Sequence, residues 1–322
     1  MACIYSLDQI KAVVRDLPLT SIISEGFTAY SKGDVIVPPV GELHFDNPPG
    51  DTHIKYGYIK NHETYVIKIA SGFYNNPEIG LPSSTGMMLV FYQKTGMLKA
   101  ILLDEGYLTD IRTAVAGSIS AACLTGRPVK GIGIIGTGTQ ARFQLKYLSA
   151  VTSCRKVYTW GRTQENMALY KADMERLGFE IIPQQTPAEV AAHASLIVTT
   201  TPSDRPLLHA ADIKPGTCIV AMGSDTETKQ ELDVDILEKA DVVVADAISQ
   251  CRVRGEISKA LARGIITETD IIELGDLLEN PAKVKVKDAD ICVADLTGVA
   301  VQDIQIATAV CDALSSKIKE EA

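Results

Sequence analysis

The sequence has no lysine- or arginine-rich run and no basic tail. Its 31 Lys and Arg are outnumbered by 40 Asp and Glu, for a formal net charge of −9. Broad binding to nucleic acid or to an anionic membrane needs a positive surface, so the charge argues against those functions; it does not argue against a local positive pocket. No stretch approaches the roughly 18 apolar residues of a membrane span. The opening "MACIYSLDQIKAVVRDL" has no cationic segment followed by an apolar core, so it does not read as a secretory signal. Cysteine is scattered: Cys3, Cys123, Cys154, Cys218, Cys251, Cys292 and Cys311 are odd in number and form no Cys-x-x-Cys. That argues against a disulfide framework, a zinc site or a catalytic thiol, and for buried thiols in a reducing cytoplasm. No metal site is expected. There is no internal repeat and no low-complexity segment.

What is present is an ordinary globular composition, 46% hydrophobic and 22% charged, in 322 residues, enough for two domains with their own cores. Residues 6–32 read as helix, with Ser6 as a cap and Leu7, Ile10, Val13, Val14 and Leu17 on one face. From 35 to 103 the character changes. Short β-rich runs ("HIKYGYI", "TYVIKIA", "GMMLVFY", "LKAILLD") alternate with turn clusters, which predicts a mostly antiparallel sheet. "DIRTAVAGSISAACLT" reads as a small-residue helix. From 129 onward, continuous apolar runs such as "KGIGIIG", "SLIVTTT", "TCIVAMG" and "ADVVVAD" alternate with helices, the pattern of parallel strands buried on both faces. The tail "VQDIQIATAVCDALSSKI" reads as an amphipathic helix.

"GIGIIGTGTQAR" carries the clearest chemistry. Gly136, Thr137, Gly138, Thr139, Gln140 and Ala141 follow an apolar strand and open a helix. Gly136 allows the tight turn, Gly138 lets the backbone approach a pyrophosphate, and Ala141 lets helix and strand pack closely. The helix N-terminus then faces the phosphates. The next strand ends in Gly161, Arg162 and Thr163, where an NAD-type site would put a carboxylate for the ribose hydroxyls. A cation and a hydroxyl suit a 2′-phosphate, which favours NADP(H) within an NAD(P)(H) assignment. Thr200 and Thr201 of "TTTP" follow a later strand and would lie along the dinucleotide.

The stretch "HIKYGYIKNHETYVIKIASGF" raises a question of charge. A turn centred on Asn61-His62 places Lys55 opposite Lys68, their Cβ atoms about 5 Å apart. Opposed ammonium groups are destabilising unless an anion lies between them or one loses its proton. A bound dicarboxylate would supply that anion; alternatively, Lys55 snorkels to solvent from an edge strand.

Taken together, "VIKIASGFYNNPEIGLPSS", "GYLTDIRTAVAGSISA", "GIIGTGTQA", "TTTPS", "MGSDTETKQELD" and "DLTGVAVQD" resemble the ornithine cyclodeaminase and mu-crystallin family, in the family's order and over most of the chain. The resemblance implies an α/β fold: a Rossmann-type parallel-sheet domain (114–305) plus an α+β substrate-binding and dimerisation domain (1–113 and 306–322). It also implies a homodimer acting on a small molecule. By matching position, Arg112 would clamp the substrate α-carboxylate and Lys68 would contact that carboxylate and polarise the reacting C–N centre. Asp225 would act as acid/base or stabilise the positive imine, and Ser83 would be a lesser carboxylate contact. Met222, Gly223, Thr297 and Gly298 would complete the cofactor site. Many members carry an arginine in the first strand of the substrate domain; the nearest position here is His44.

The ornithine-cyclising members place a glutamate where this chain has Lys55, so the charge is inverted, and an ammonium cannot hold the substrate's own ammonium. In pattern the chain looks most like the iminosuccinate reductase and ectoine-utilisation branch. The resemblance therefore implies an NAD(P)H-dependent reductase of a small α-imino acid, with iminosuccinate to aspartate as the acidic version. Its rivals are an ornithine cyclodeaminase-type lyase, a ketimine or alanine-type reductase, and a non-catalytic binder of crystallin type.

Overall fold

The structure is a computed structural model that describes residues 2–73 and 75–321, with side chains as far as Lys317. The chain divides into two compact units, residues up to Arg112 with those from Val299 onward, and Thr113–Gly298. The expected second boundary, after residue 305, falls inside the C-terminal helix. That helix is continuous from its start, so the division comes before it, at Gly298.

In chain order the first unit contains β1 (Cys3–Tyr5), α1 (Leu7–Val14), α2 (Leu19–Ser31), β2 (Val35–Ile36), β3 (Gly41–Asp46), β4 (Pro49–Ile59), β5 (Thr64–Gly72), β6 (Ser84–Tyr92) and β7 (Leu98–Leu102). Helix α3 (Tyr107–Leu124) crosses the division. The second unit contains β8 (Ile132–Ile135), α4 (Thr139–Leu148), β9 (Lys156–Trp160), α5 (Gln164–Glu175), β10 (Glu180–Pro183), α6 (Pro187–His193), β11 (Leu196–Thr199), β12 (Asp204–Leu208) and β13 (Cys218–Ala221). It continues with β14 (Gln230–Leu232), α7 (Val234–Lys239), β15 (Val242–Ala245), α8 (Ile248–Cys251), α9 (Gly255–Ala262), β16 (Ile271–Glu273), α10 (Leu274–Glu279) and β17 (Cys292–Asp295). Helix α11 (Ala300–Glu321) returns to the first unit.

The single N-terminal helix expected over 6–32 is two helices. Pro18 has no N–H to donate and its ring blocks the preceding turn, so α1 stops at Val14 and α2 restarts at Leu19. Ser6 does cap α1, in a reciprocal box with Gln9.

The first unit is a seven-stranded sheet in the order β1-β7-β6-β5-β4-β2, with β3 also on β4. Every pairing is antiparallel except β1 with β7. Alternation along the strands sorts the side chains. Lys55, Gly57, Ile59, Val66, Lys68, Met88, Val90, Ala100 and Leu102 are buried on one face, the face that α11 packs against. Tyr56, Tyr58 and Met87 lie on the opposite face and are partly exposed. The tail helix is amphipathic only in its later turns. From Ala300 to Ile304 every residue of α11 is buried, including Gln302 and Asp303.

The second unit is an eight-stranded, all-parallel sheet in the order β10-β9-β8-β11-β13-β17-β15-β16. β8, β11, β13, β15 and β17 are buried at every position, as continuous apolar strands require. The chain leaves β8 toward β9 on one side and later returns to β11 on the other. That reversal is where parallel sheets bind ligands, at the carboxyl ends of the strands. Among the described residues, no helix is long and apolar enough to cross a membrane.

Candidate active site

In the first unit, β4 and β5 pair in the register implied by the hairpin, with Lys55 opposite Lys68. Both point under α11 and are buried, Lys55 at 7% and Lys68 at 2% exposure, so Lys55 does not snorkel to solvent. The anion near them is the protein's own. Asp303, in the first turn of α11, places Oδ2 3.1 Å from Lys68 Nζ and Oδ1 2.9 Å from Arg112 Nε. Arg112 Nη1 also donates to Gln302 Oε1 at 3.1 Å. Both contacts are buried ion pairs.

Burial alone would raise the Asp303 carboxyl, but Arg112, Lys68 and Lys55 together hold it below its ordinary value. Burial pulls the Lys68 ammonium down to about 8; Asp303 opposes that fall and Arg112 adds to it. Asp104 completes the support. Its Oδ2 accepts from the Leu108 N–H at 2.9 Å and so fixes the first turn of α3, the helix that carries Arg112.

In the second unit the fingerprint forms the cradle its spacing implies. Gly136 has φ +118°, and a Cβ there would stand 2.4 Å from Thr200 Oγ1. A Cβ on Gly138 would meet nothing within 4 Å, so the backbone is open to approach, and α4 begins with no side chain capping it. Open backbone at an uncapped helix start fits a pyrophosphate. Ala141 is fully buried, as close packing of α4 requires. A Cβ on Gly161 would lie 2.5 Å from Thr137 Cγ2, so the strand end admits no carboxylate side chain at that position without displacing Thr137. Arg162 is exposed beside it, and Thr163 caps α5 through Asn166 N–H.

Sequence reasoning missed the carboxylates that hold these loops. Glu231 is fully buried and accepts from Thr199 Oγ1 (2.7 Å), Thr201 N (2.6 Å), Thr201 Oγ1 (2.7 Å) and Gly223 N (2.8 Å). It therefore ties the ends of β11 and β13 together, beside Met222, which is also buried. Asp246 does the same for the last loop, accepting from Thr297 Oγ1 at 3.0 Å and Gly298 N at 2.6 Å. Glu256 accepts from the Glu231 and Leu232 N–H groups. The legible signal was a charged residue interrupting an apolar run, as in "VQDIQI" and "KQELD". Among the described residues, no group of three or more His, Cys, Asp and Glu is placed to hold a metal ion.

The remaining expected residues lie elsewhere. His44 sits on β3 with a side chain 70% exposed, near Glu42, and does not join the Lys68 cluster. Its strand pairs with β4 opposite Asp51, four residues before Lys55. Ser83 is exposed just before β6, where its carbonyl accepts from Phe73 N–H, whereas Lys68 pairs with Met88. Asp225, half-exposed in the turn after β13, accepts from Lys229 Nζ at 2.7 Å.

Buried acids make stability depend on pH. Burial, reinforced by Glu231, pushes the Glu256 carboxyl up to about 8, and burial raises Glu231 and Asp295 as well. A raised acid contributes its stability in full below the unfolded value of about 4.3 and loses it as pH rises through the folded value. Calorimetry should therefore give a thermal midpoint several degrees lower at pH 8 than at pH 5.5. A midpoint that rises over that window overturns this.

A parallel sheet with a glycine cradle at its reversal point, joined to a sheet bearing a buried cation pair, defines a dinucleotide-binding protein of Rossmann type. The chain belongs to the ornithine cyclodeaminase/mu-crystallin family, whose model matches residues 4–318. It is 38% identical to an uncharacterized cyclodeaminase of Sinorhizobium fredii, over 92% of this chain and 90% of that one. An archaeal alanine dehydrogenase dimer with bound NAD superposes with a TM-score of 0.88 at 29% identity, covering 98% of this chain and 97% of that one. The iminosuccinate reductase of Paracoccus denitrificans in complex with NAD+ does so with 0.86 at 27% identity, also covering 98% and 97%.

Proposed function

We propose that this protein is an NAD(P)H-dependent reductase that converts a small α-imino acid to the amino acid, iminosuccinate to aspartate being the favoured case. The observation that carries the reading is the buried Lys68–Asp303–Arg112 cluster, in which two cations share one carboxylate. A substrate α-carboxylate completes that charge balance, and the guanidinium fork suits it. Lys55 brings a third cation to the same face, where the side-chain carboxylate of a dicarboxylate would be held. Asp225 would act as acid/base or favour the protonated imine, the better hydride acceptor. Residues 136–141, Thr200, Thr201, Met222, Gly223, Thr297 and Gly298 would hold the dinucleotide, with Gly161, Arg162 and Thr163 on its adenosine side. When bound, the reduced cofactor supplies a hydride to the imine carbon.

The similarity to an iminosuccinate reductase and to an alanine dehydrogenase supports reduction at carbon–nitrogen bonds. The half-exposed tyrosines of the first unit's outer face support the homodimer expected from the dimeric relative, and seven free cysteines suit a cytoplasmic protein. The test is oxidation of NADH and of NADPH at 340 nm with oxaloacetate, pyruvate, glyoxylate or a cyclic imine, each with ammonia. Oxaloacetate should react fastest. Lys55→Glu should then lose about 100-fold in kcat/KM for oxaloacetate while sparing pyruvate, because a buried charge reversal costs about 3 kcal/mol. Activity with pyruvate alone sinks the dicarboxylate assignment, and an equal loss for both substrates makes Lys55 structural.

A further inference from the structure

We propose that Asp303 is a positioning residue: by bridging Lys68 and Arg112 it sets both the placement and the charge of the pair that receives the substrate carboxylate. The inference rests on the reductase reading for the identity of that substrate, but not for the anion site itself. Asp303 reaches both cations from α11, one through each oxygen, at 3.1 and 2.9 Å. It is 1% exposed. Its neighbour Gln302 holds a second nitrogen of the same guanidinium. One turn of helix thus fixes two side chains that come from β5 and α3.

Asp303 meets both cations as ion pairs, so an incoming carboxylate competes with it for the same two charges. The charged groups facing the bridge are Lys55 from β4, Lys68 from β5, Asp104 from the turn before α3, and Arg112 from α3. Of these, Lys55, Lys68 and Arg112 favour an ionised Asp303. In return, Asp303 opposes the loss of the Lys68 proton that burial promotes and that Arg112 promotes further. With Asp303 ionised, Lys68 keeps its proton up to a pH of about 8. Without that charge the proton is lost earlier.

The bridge also competes with the substrate. At a pH where Lys68 is charged in any case, removing the Asp303 charge should strengthen anion binding; at a pH where Lys68 depends on Asp303, it should weaken it. That crossover separates the proposal from a merely structural role, which would lower affinity at every pH.

The experiment measures oxalate binding calorimetrically to the NADH-loaded protein between pH 6 and 9, for the wild type, Asp303→Asn and Asp303→Glu. Wild-type affinity should fall above a pH of about 8. In Asp303→Asn the falling limb should move down by about one pH unit or more. Affinity in this variant should be equal or tighter at pH 6 and at least about tenfold weaker at pH 8. Asp303→Glu should restore most of the wild-type limb. An unshifted limb in Asp303→Asn, or equal weakening at every pH, overturns the proposal. If Asp303→Asn does not fold, Gln302→Met reads the same device. It frees one guanidinium nitrogen and alters no charge, so affinity should fall with the limb unmoved; a moved limb overturns the proposal. Oxalate binding with no turnover of any imino acid would leave Asp303 in its role and sink the reductase reading, whereas no oxalate binding by the wild type sinks both.

Discussion

Arg112→Lys should lower kcat/KM for the preferred imino acid by about 100-fold, close to 3 kcal/mol of transition-state stabilisation. The substitution keeps the charge and removes the geometry. Arg112 uses Nε on Asp303 and Nη1 on Gln302 while buried to 5% exposure. A guanidinium has five donors in a fixed plane, so it serves those two acceptors and still presents N–H groups to a carboxylate. A lysine has one nitrogen at the end of a flexible stem. Placed on Asp303 it abandons the substrate, and placed on the substrate it leaves Asp303 to Lys68 alone. Most of the loss should appear in KM, because the lost contact is made to substrate and transition state alike. Steady-state kinetics beside oxalate affinity give the check: a loss smaller than about threefold in both would show that charge alone matters at this position.

The same cluster shows what the sequence exposes and what it hides. The hairpin register was legible because its signals are local. Asn61 turns with φ 65°, and alternation fixes which side chains share a face, so Lys55 opposite Lys68 followed from counting. The glycine turn after β8 was legible for the same reason: its residues are contiguous. Asp303 lies within "DLTGVAVQD", but its meaning depends on α11 returning from the far end of the chain to lie on β4 and β5. The two opposed lysines did require an anion; the fold supplies one from its own tail. The sequence-based picture of a wholly amphipathic tail failed for a related reason. A helix whose first turn is buried on all sides contains polar residues that look like a solvent face until their partners are known. Pro18 was a local signal outweighed by apolar spacing on both sides of it, and the missing N–H decided the outcome. His44 stood in for an arginine only by counting back along the chain, and β3 carries it to an exposed edge.

Gly136→Ala should weaken NADH binding at least about 30-fold and lower the thermal midpoint. The reason lies in how little the surroundings can yield. At φ +118° an L-residue is strained by about 1–3 kcal/mol before any contact is considered. The new methyl would then meet Thr200 Oγ1 at 2.4 Å, with Thr200 O and Thr201 Cγ2 at 3.3 Å. Thr200 is held by its own N–H and hydroxyl to the Ile135 carbonyl, at 2.9 and 3.2 Å. Thr201 is held by Glu231 through both its N–H and its hydroxyl. Neither retreats without breaking bonds to a buried carboxylate or to the strand itself. The cradle must move instead, and moving it takes the Gly138 backbone away from the approach a pyrophosphate needs. A combined cost of about 2–4 kcal/mol corresponds to a 30- to 1000-fold rise in the dissociation constant. Fluorescence titration with NADH measures it, and oxalate affinity of the cofactor-free protein supplies the control. The cation cluster belongs to the other unit, so oxalate should bind the variant and the wild type alike. Parallel loss of both affinities would mean the substitution unfolds the chain rather than closing the cradle.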